Sequence, residues 1–175
     1  LTEVQDEKSL TSCMTEPSTA LITAARRLTG RVLILGGSGK MGPELAEMLC
    51  RADEAAGVKR EIVIASTFSS QATRNHLSQL NVRCIQTDLT DPEQIRALPD
   101  APYVIYMIGF KFGSATDHRR TFHVNSIVPY LIGCRYPDST IVVFSSTNVY
   151  APRPYVNGTI SGSCEEDLLR PHGIY

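Results

Sequence analysis

No apolar run in this sequence approaches the ~20 residues that a bilayer-spanning helix needs, so no transmembrane segment is expected within it. Residues 1–17 carry Glu3, Asp6, Glu7 and Glu16 and no apolar stretch, which argues against a secretory signal or a mitochondrial transit peptide. Charge of one sign is also scarce. A net charge of −1 gives no electrostatic case for nucleic acid or an anionic membrane as a partner. The five cysteines are odd in number and form no C-x-x-C pair, so a disulfide framework is not expected. Cys50, Cys84 and Cys134 fall in predicted helix or strand and are expected as small buried residues of a protein kept in a reducing cytoplasm. His76, His118, His123 and His172 lack metal-ligand spacing, and no metal site is expected. The triplet Asn157-Gly-Thr159 matches a glycosylation acceptor, but without a secretory signal it is better explained as a turn.

What is present is one domain's worth of chain. At 175 residues, with 42% hydrophobic and 20% charged residues, the sequence is long enough for a core of its own. It begins with Leu1 and stops at Tyr175 without a polar tail, and both ends are expected to be cuts from a longer protein. Residues 1–16 are expected as a polar tail and residues 17–175 as the folded domain, with Pro17 in the first turn of a helix that Gly30 ends.

The most informative stretch is Arg31-Val-Leu-Ile-Leu-Gly-Gly-Ser-Gly-Lys-Met-Gly42. A β-branched and leucine strand empties into Gly36, Gly39 and Gly42, and Pro43-Glu-Leu-Ala-Glu-Met-Leu49 follows at helical spacing. This is the strand–turn–helix signature of a dinucleotide-binding crossover. The first glycine permits the tight turn, the second lets backbone approach the pyrophosphate, and the third lets the helix sit close. The helix start, with Lys40 and Met41, then offers N–H groups to phosphate. A Walker-type phosphate loop is excluded, because Ile34 stands where its first glycine is required and Met41 where it needs Ser or Thr.

Patterns of strand and helix alternate from there. Strands are expected at Val32–Leu35, Glu61–Ala65, Val82–Gln86, Tyr103–Ile108 and Thr140–Phe144. Helices are expected at about Lys40–Ala55, Gln71–Leu80, Pro92–Leu98 and Arg119–Tyr136. The strands are nearly continuous apolar runs, as in parallel sheets covered on both faces. Right-handed crossovers then give an α/β, doubly wound parallel Rossmann sheet with strand order 3-2-1-4-5. The later strands and a substrate lobe would be missing. A sheet cut there is expected to be marginally stable, or to associate, for instance as a homodimer, through its open edge. Residues 147–175 form a longer connection than the fold needs, which points to function.

The residues at the strand ends are Gly36-Gly-Ser-Gly39, Ser66-Thr67, Thr87-Asp88-Leu89, Met107-Ile-Gly109 and Ser145-Ser-Thr-Asn-Val-Tyr150. In this order and spacing the chain resembles the extended short-chain dehydrogenase/reductase family, the NAD-dependent epimerases and dehydratases. The resemblance implies that Gly36, Gly39 and Gly42 hold a pyrophosphate and that Asp88-Leu89 places a carboxylate at the adenine amine; the alternative is that Asp88 caps the next helix, a role that Asp91 could fill instead. It gives Met107 and Gly109 the place beside the nicotinamide ribose, although the usual motif there is Leu-Ala-Ala. It makes Asn125 an ordering residue of the active site and Ser146 the catalytic serine, with Thr147 as the alternative. Ala151 stands where the family has glycine. Tyr175, after Pro171-His-Gly-Ile, takes the place of the general acid–base.

The family has a lysine four positions past that tyrosine, beyond this chain's end. A free tyrosine has a pKa of about 10, so about one molecule in a thousand is phenolate at pH 7, and lowering that pKa by ~3 takes roughly 4 kcal/mol. The lysine and the nicotinamide charge normally supply this, so the piece alone is expected to be a poor catalyst. Gly39-Lys-Met-Gly-Pro43 and Gly109-Phe-Lys-Phe-Gly113 further resemble a bacterial branch in which that position need not be lysine.

The implied cofactor is NAD or NADP and the implied partner a small hydroxylated, sugar-like or nucleotide-linked substrate. No carboxylate ends the second strand, where Ser66 and Thr67 stand, so the choice between NAD and NADP stays open. Arg74 is either a 2′-phosphate ligand or a solvated helix residue. Two other functions fit the same motifs: a dinucleotide sensor that has lost catalysis, and a simple reductase.

Overall fold

The computed structural model describes residues 4–146, 149–151, 162–167 and 169. Five strands, β1 (Val32–Leu35), β2 (Ile62–Ser66), β3 (Arg83–Gln86), β4 (Tyr103–Tyr106) and β5 (Thr140–Val143), form one parallel sheet in the order β3-β2-β1-β4-β5. This is the doubly wound order that the apolar runs and right-handed crossovers require. The helices are α1 (Glu7–Met14), α2 (Thr19–Arg27), α3 (Gly42–Ala56), α4 (Gln71–Gln79), α5 (Pro92–Arg96), α6 (His118–Phe122) and α7 (Val128–Arg135).

Strand alternation divides the core in two. Leu33, Leu35, Val63, Ala65 and Val104 face α5 and α7, where Ile95, Val128 and Ile132 are buried. Val32, Ile34, Ile62 and Ile64 face Ala46 of α3 and Leu77 of α4. Each of the Val, Leu and Ile side chains among these, fully buried, contributes ~1.5–3 kcal/mol. In and just after β5, Val142, Val143 and Phe144 are 52%, 55% and 40% exposed.

Four local expectations need correction. First, residues 7–14 are helix rather than tail. Asp6 accepts from the Ser9 amide while Ser9 Oγ accepts from the Asp6 amide, a reciprocal cap that starts α1. Arg51 of α3 then anchors its end by donating to Ser12 O, Thr15 Oγ1 and Glu16, a long-range contact that no local pattern announces. Second, Ser18 caps α2 through the Leu21 amide, so Pro17 stands before the cap and outside the helix.

Third, the expected single helix over 119–136 is broken by a π-helical turn at His123–Ile127. Pro129, which lacks an N–H and crowds the carbonyl four residues back, opens α7 just beyond it. Fourth, Cys134 is exposed on α7, while Cys50 and Cys84 are half-buried. Burial pushes the Cys50 thiol up to about 11. All five cysteines are free.

Candidate functional site

The glycine turn after β1 is built from close backbone approaches. Gly36 has φ 80°, and a Cβ there would meet Ile108 Cγ1 at 2.7 Å, so the ends of β1 and β4 touch only because this residue is glycine. Gly37, given no role by the sequence motif, is held as tightly: its Cβ would meet Ile34 Cγ2 at 2.8 Å and Ile64 Cγ2 at 3.1 Å. A Cβ on Gly42 would overlap the Gly37 carbonyl, so the first residue of α3 rests directly on the turn. Gly39 differs. Its nearest obstacle would be Gly36 O at 3.7 Å, an ordinary contact, which leaves the second glycine facing open space.

Helix α3 starts at Met41 with no side-chain cap. A long helix whose first amides take no side-chain cap at a glycine turn is an anion site in waiting. Lys40 and Met41 are exposed at this mouth.

Beyond the turn, a groove of about 270 Å³ runs along the carboxyl ends of the strands, bordered by Gly36, Ser66, Asp88, Leu89, Gly109 and Arg120. Asp88 does not cap α5; Asp91 does so through the Glu93 amide at 2.9 Å. Asp88 Oδ1 instead accepts from the Thr90 amide at 2.9 Å and the Thr90 hydroxyl at 2.7 Å, and these bonds hold its carboxyl below the usual carboxylate range. Gln94 Oε1 fixes the approach by accepting from the Asp88 amide at 2.8 Å and Thr87 Oγ1 at 3.1 Å. Leu89 is also part of the core. Met107 packs against the α3–α4 core cluster and does not border this groove, which its neighbours Ile108 and Gly109 do.

Asn125 lies in the π-helical turn and grips the loop after β4. Its Oδ1 accepts from the Phe110 amide at 2.8 Å and its Nδ2 donates to the Phe110 carbonyl at 3.0 Å. The Arg120 guanidinium lies 4.8 Å from the Phe110 ring centre. Sequence reasoning missed Phe110, Arg120 and Gln94, since only the fold brings them to the groove.

Ser146 is exposed after β5, and its carbonyl accepts from the Val149 amide at 3.2 Å. Tyr150 pairs with Leu169 in a single antiparallel bridge. Thr147, the Asn157–Thr159 triplet and Tyr175 lie outside the described residues. Among the described residues no three His, Cys, Asp or Glu side chains are placed to hold a metal ion, and no helix is long and apolar enough to cross a membrane.

Sheet order, glycine turn and groove together define a Rossmann domain of the dinucleotide-binding kind. The chain belongs to the 3-beta hydroxysteroid dehydrogenase/isomerase family, whose model matches residues 33–168. No curated protein matches it.

Among solved structures it is similar to ADP-L-glycero-D-manno-heptose-6-epimerase of Helicobacter pylori, with 19% identity, a TM-score of 0.63 and coverage of 83% of this chain and 46% of that one. It is similar to UDP-N-acetylglucosamine 4-epimerase of Methanobrevibacter ruminantium, solved with UDP-N-acetylmuramic acid, at 20% identity, TM-score 0.65 and coverage of 83% and 45%. WbmG of Bordetella bronchiseptica, solved with NAD, gives 16% identity, TM-score 0.58 and coverage of 83% and 45%. The chain thus spans less than half the length of each of these proteins.

Proposed function

We propose that this chain is the dinucleotide-binding part of an NAD- or NADP-dependent oxidoreductase of the epimerase/dehydratase type, acting on a hydroxylated, sugar-like or nucleotide-linked substrate. The observation that carries this is the glycine turn: Gly42 lies against the Gly37 carbonyl, Gly39 faces open space, and α3 begins there without a side-chain cap. The residues present suit a dinucleotide along the groove. Gly36, Gly39 and Gly42, with Lys40 and Met41, would hold the pyrophosphate; Asp88 would accept from the adenine amine, Ser66 would serve the adenosine ribose and Gly109 the nicotinamide end.

When bound, the cofactor supplies a hydride acceptor. The chain's own part is orientation and proton transfer. Asn125 fixes the loop that borders the reacting end. In this reading Tyr175 takes the proton of the substrate hydroxyl and Ser146 donates a hydrogen bond to the same oxygen. The free cysteines suit a reducing, cytoplasmic setting.

Titration of the chain with NADH and NADPH, followed by nicotinamide fluorescence, tests this. Saturable binding is expected for at least one of them, with a loss of at least ~10-fold in Gly39→Asp. That variant should keep its fold, because a Cβ at this position meets nothing closer than 3.7 Å. No binding of either nucleotide, or binding unaffected by Gly39→Asp, would refute the assignment. Turnover assays on the longer parent protein over a panel of nucleotide sugars then divide the alternatives. Binding without hydride exchange would favour a sensor, and net consumption of reduced cofactor a simple reductase.

A further inference from the structure

Strand β2 ends on Ser66, whose hydroxyl lies 2.6 Å from that of Ser38 in the glycine turn. In dinucleotide-binding domains this is the place where a carboxylate accepts from the 2′-hydroxyl of the adenosine ribose, or where an arginine accommodates a 2′-phosphate. No aspartate or glutamate occurs between Ile62 and Thr87. The next carboxylate, Asp88, follows β3 rather than β2; its Oδ1 is taken by Thr90, and the group is assigned above to the adenine amine.

The charge that does stand at the end of β2 is positive. Gln86 is the register partner of Ser66 across the β2–β3 pair. Arg74 of α4 donates to Gln86 Oε1 at 3.1 Å, and its guanidinium sits 5.1 Å from the ring centre of Phe68, two residues past Ser66. A delocalised cation is thereby held beside the strand end, with a planar fork suited to phosphate. Ser38 also borders a second groove of about 410 Å³, with Gly39, Lys40, Glu44, Thr73 and His76. The Ser38–Ser66 pair therefore joins the main groove to a space bordered by the Thr73 hydroxyl and by Lys40. Two carboxylates stand nearby on α3. Glu47 is occupied by Thr15 at 3.1 Å and His76 at 3.4 Å. Glu44 also borders this second groove, and its Oε2 is buried with no hydrogen-bond partner among the described residues.

We propose that the Ser38–Ser66 hydroxyl pair, flanked by Arg74 and Lys40, selects a dinucleotide bearing a 2′-phosphate, so that this chain prefers NADP(H) to NAD(H). This rests on the dinucleotide reading given above. A 2′-phosphate there would find hydroxyl donors, with Lys40 and Arg74 as the nearby cations, whereas an unsubstituted ribose finds no carboxylate to accept a hydrogen bond from its 2′-hydroxyl.

Calorimetric titration with NADPH and NADH, and with adenosine 2′,5′-bisphosphate against AMP as probes of the adenosine end, tests the preference. NADPH should bind at least ~10-fold tighter than NADH, and the bisphosphate should exceed AMP in the same sense. Arg74→Ala should remove most of that gap and leave NADH affinity unchanged. Ser66→Asp should reverse the preference. Should that buried substitution fail to fold, the half-exposed Arg74 variant still distinguishes the outcomes. Equal or tighter binding of NADH by the unaltered chain would overturn the proposal and leave the dinucleotide reading intact. An Arg74→Ala variant that weakens both nucleotides alike would overturn it too. Failure of both nucleotides to bind would overturn the dinucleotide reading and this preference together.

Discussion

The carboxamide of Asn125 satisfies both backbone groups of Phe110, accepting at 2.8 Å and donating at 3.0 Å. One side chain in the helical layer thus sets the path of the loop leaving β4, and with it the wall of the groove.

Removing that side chain leaves a part-buried N–H and C=O without their partner. Asn125→Ala is expected to cost ~1–3 kcal/mol in urea unfolding. Dinucleotide affinity should fall as well, since the loop no longer holds one position. Asn125→Asp keeps the acceptor and loses the donor, so its effect should be intermediate. A neutral Asn125→Ala in both measurements would refute this role.

Gly42 and Gly39 should respond oppositely to one methyl group. In Gly42→Ala the new Cβ overlaps the Gly37 carbonyl, a backbone atom that cannot swing aside. A loss of ~1–3 kcal/mol or more is expected, as for other overpacked sites. In Gly39→Ala the nearest atom would be 3.7 Å away, and thermal unfolding should be almost unchanged. Equal melting temperatures for the two variants would show that the turn is laxer than described.

Stability should plateau across neutral pH and fall on both sides. Hydrogen bonds from Thr90 hold the Asp88 carboxyl low, as those from Arg31 and Arg83 hold Glu61. A carboxyl lowered by folding adds stability that is present above its unfolded pKa, about 4, and is lost as pH falls through its folded value. Burial pushes Tyr106 and Tyr136 up to about 12. A phenol raised by folding adds stability that is full below its unfolded pKa, about 10, and is lost as pH rises through 12. Denaturant midpoints measured from pH 3 to 11 check both limbs. A steady decline across pH 6 to 9 would contradict this account.

The sheet was legible in the sequence because its signals are local and repeated. Runs such as Val32-Leu-Ile-Leu35 and Ile62-Val-Ile-Ala65 can be buried on both faces only in a covered parallel sheet, and crossover handedness leaves one strand order. The glycine turn was legible because crowding admits no side chain at Gly36, Gly37 or Gly42. Helix α1 was not legible. It is polar and its anchor, Arg51, lies in another helix, so nothing within residues 1–16 marks it as docked. The π-helical turn was hidden for a related reason: Pro129 shows that the helix must change, but only packing decides how.

By itself, then, the sequence determined the order of elements, the glycine turn and the absence of a carboxylate after β2, since each depends on residues close together along the chain. Only the tertiary structure decided that Asn125 holds Phe110, that Asp91 rather than Asp88 caps α5, and that Arg74 stands at the end of β2. Hydrogen bonds and ring contacts of these kinds are fixed by where the packed helices place their side chains.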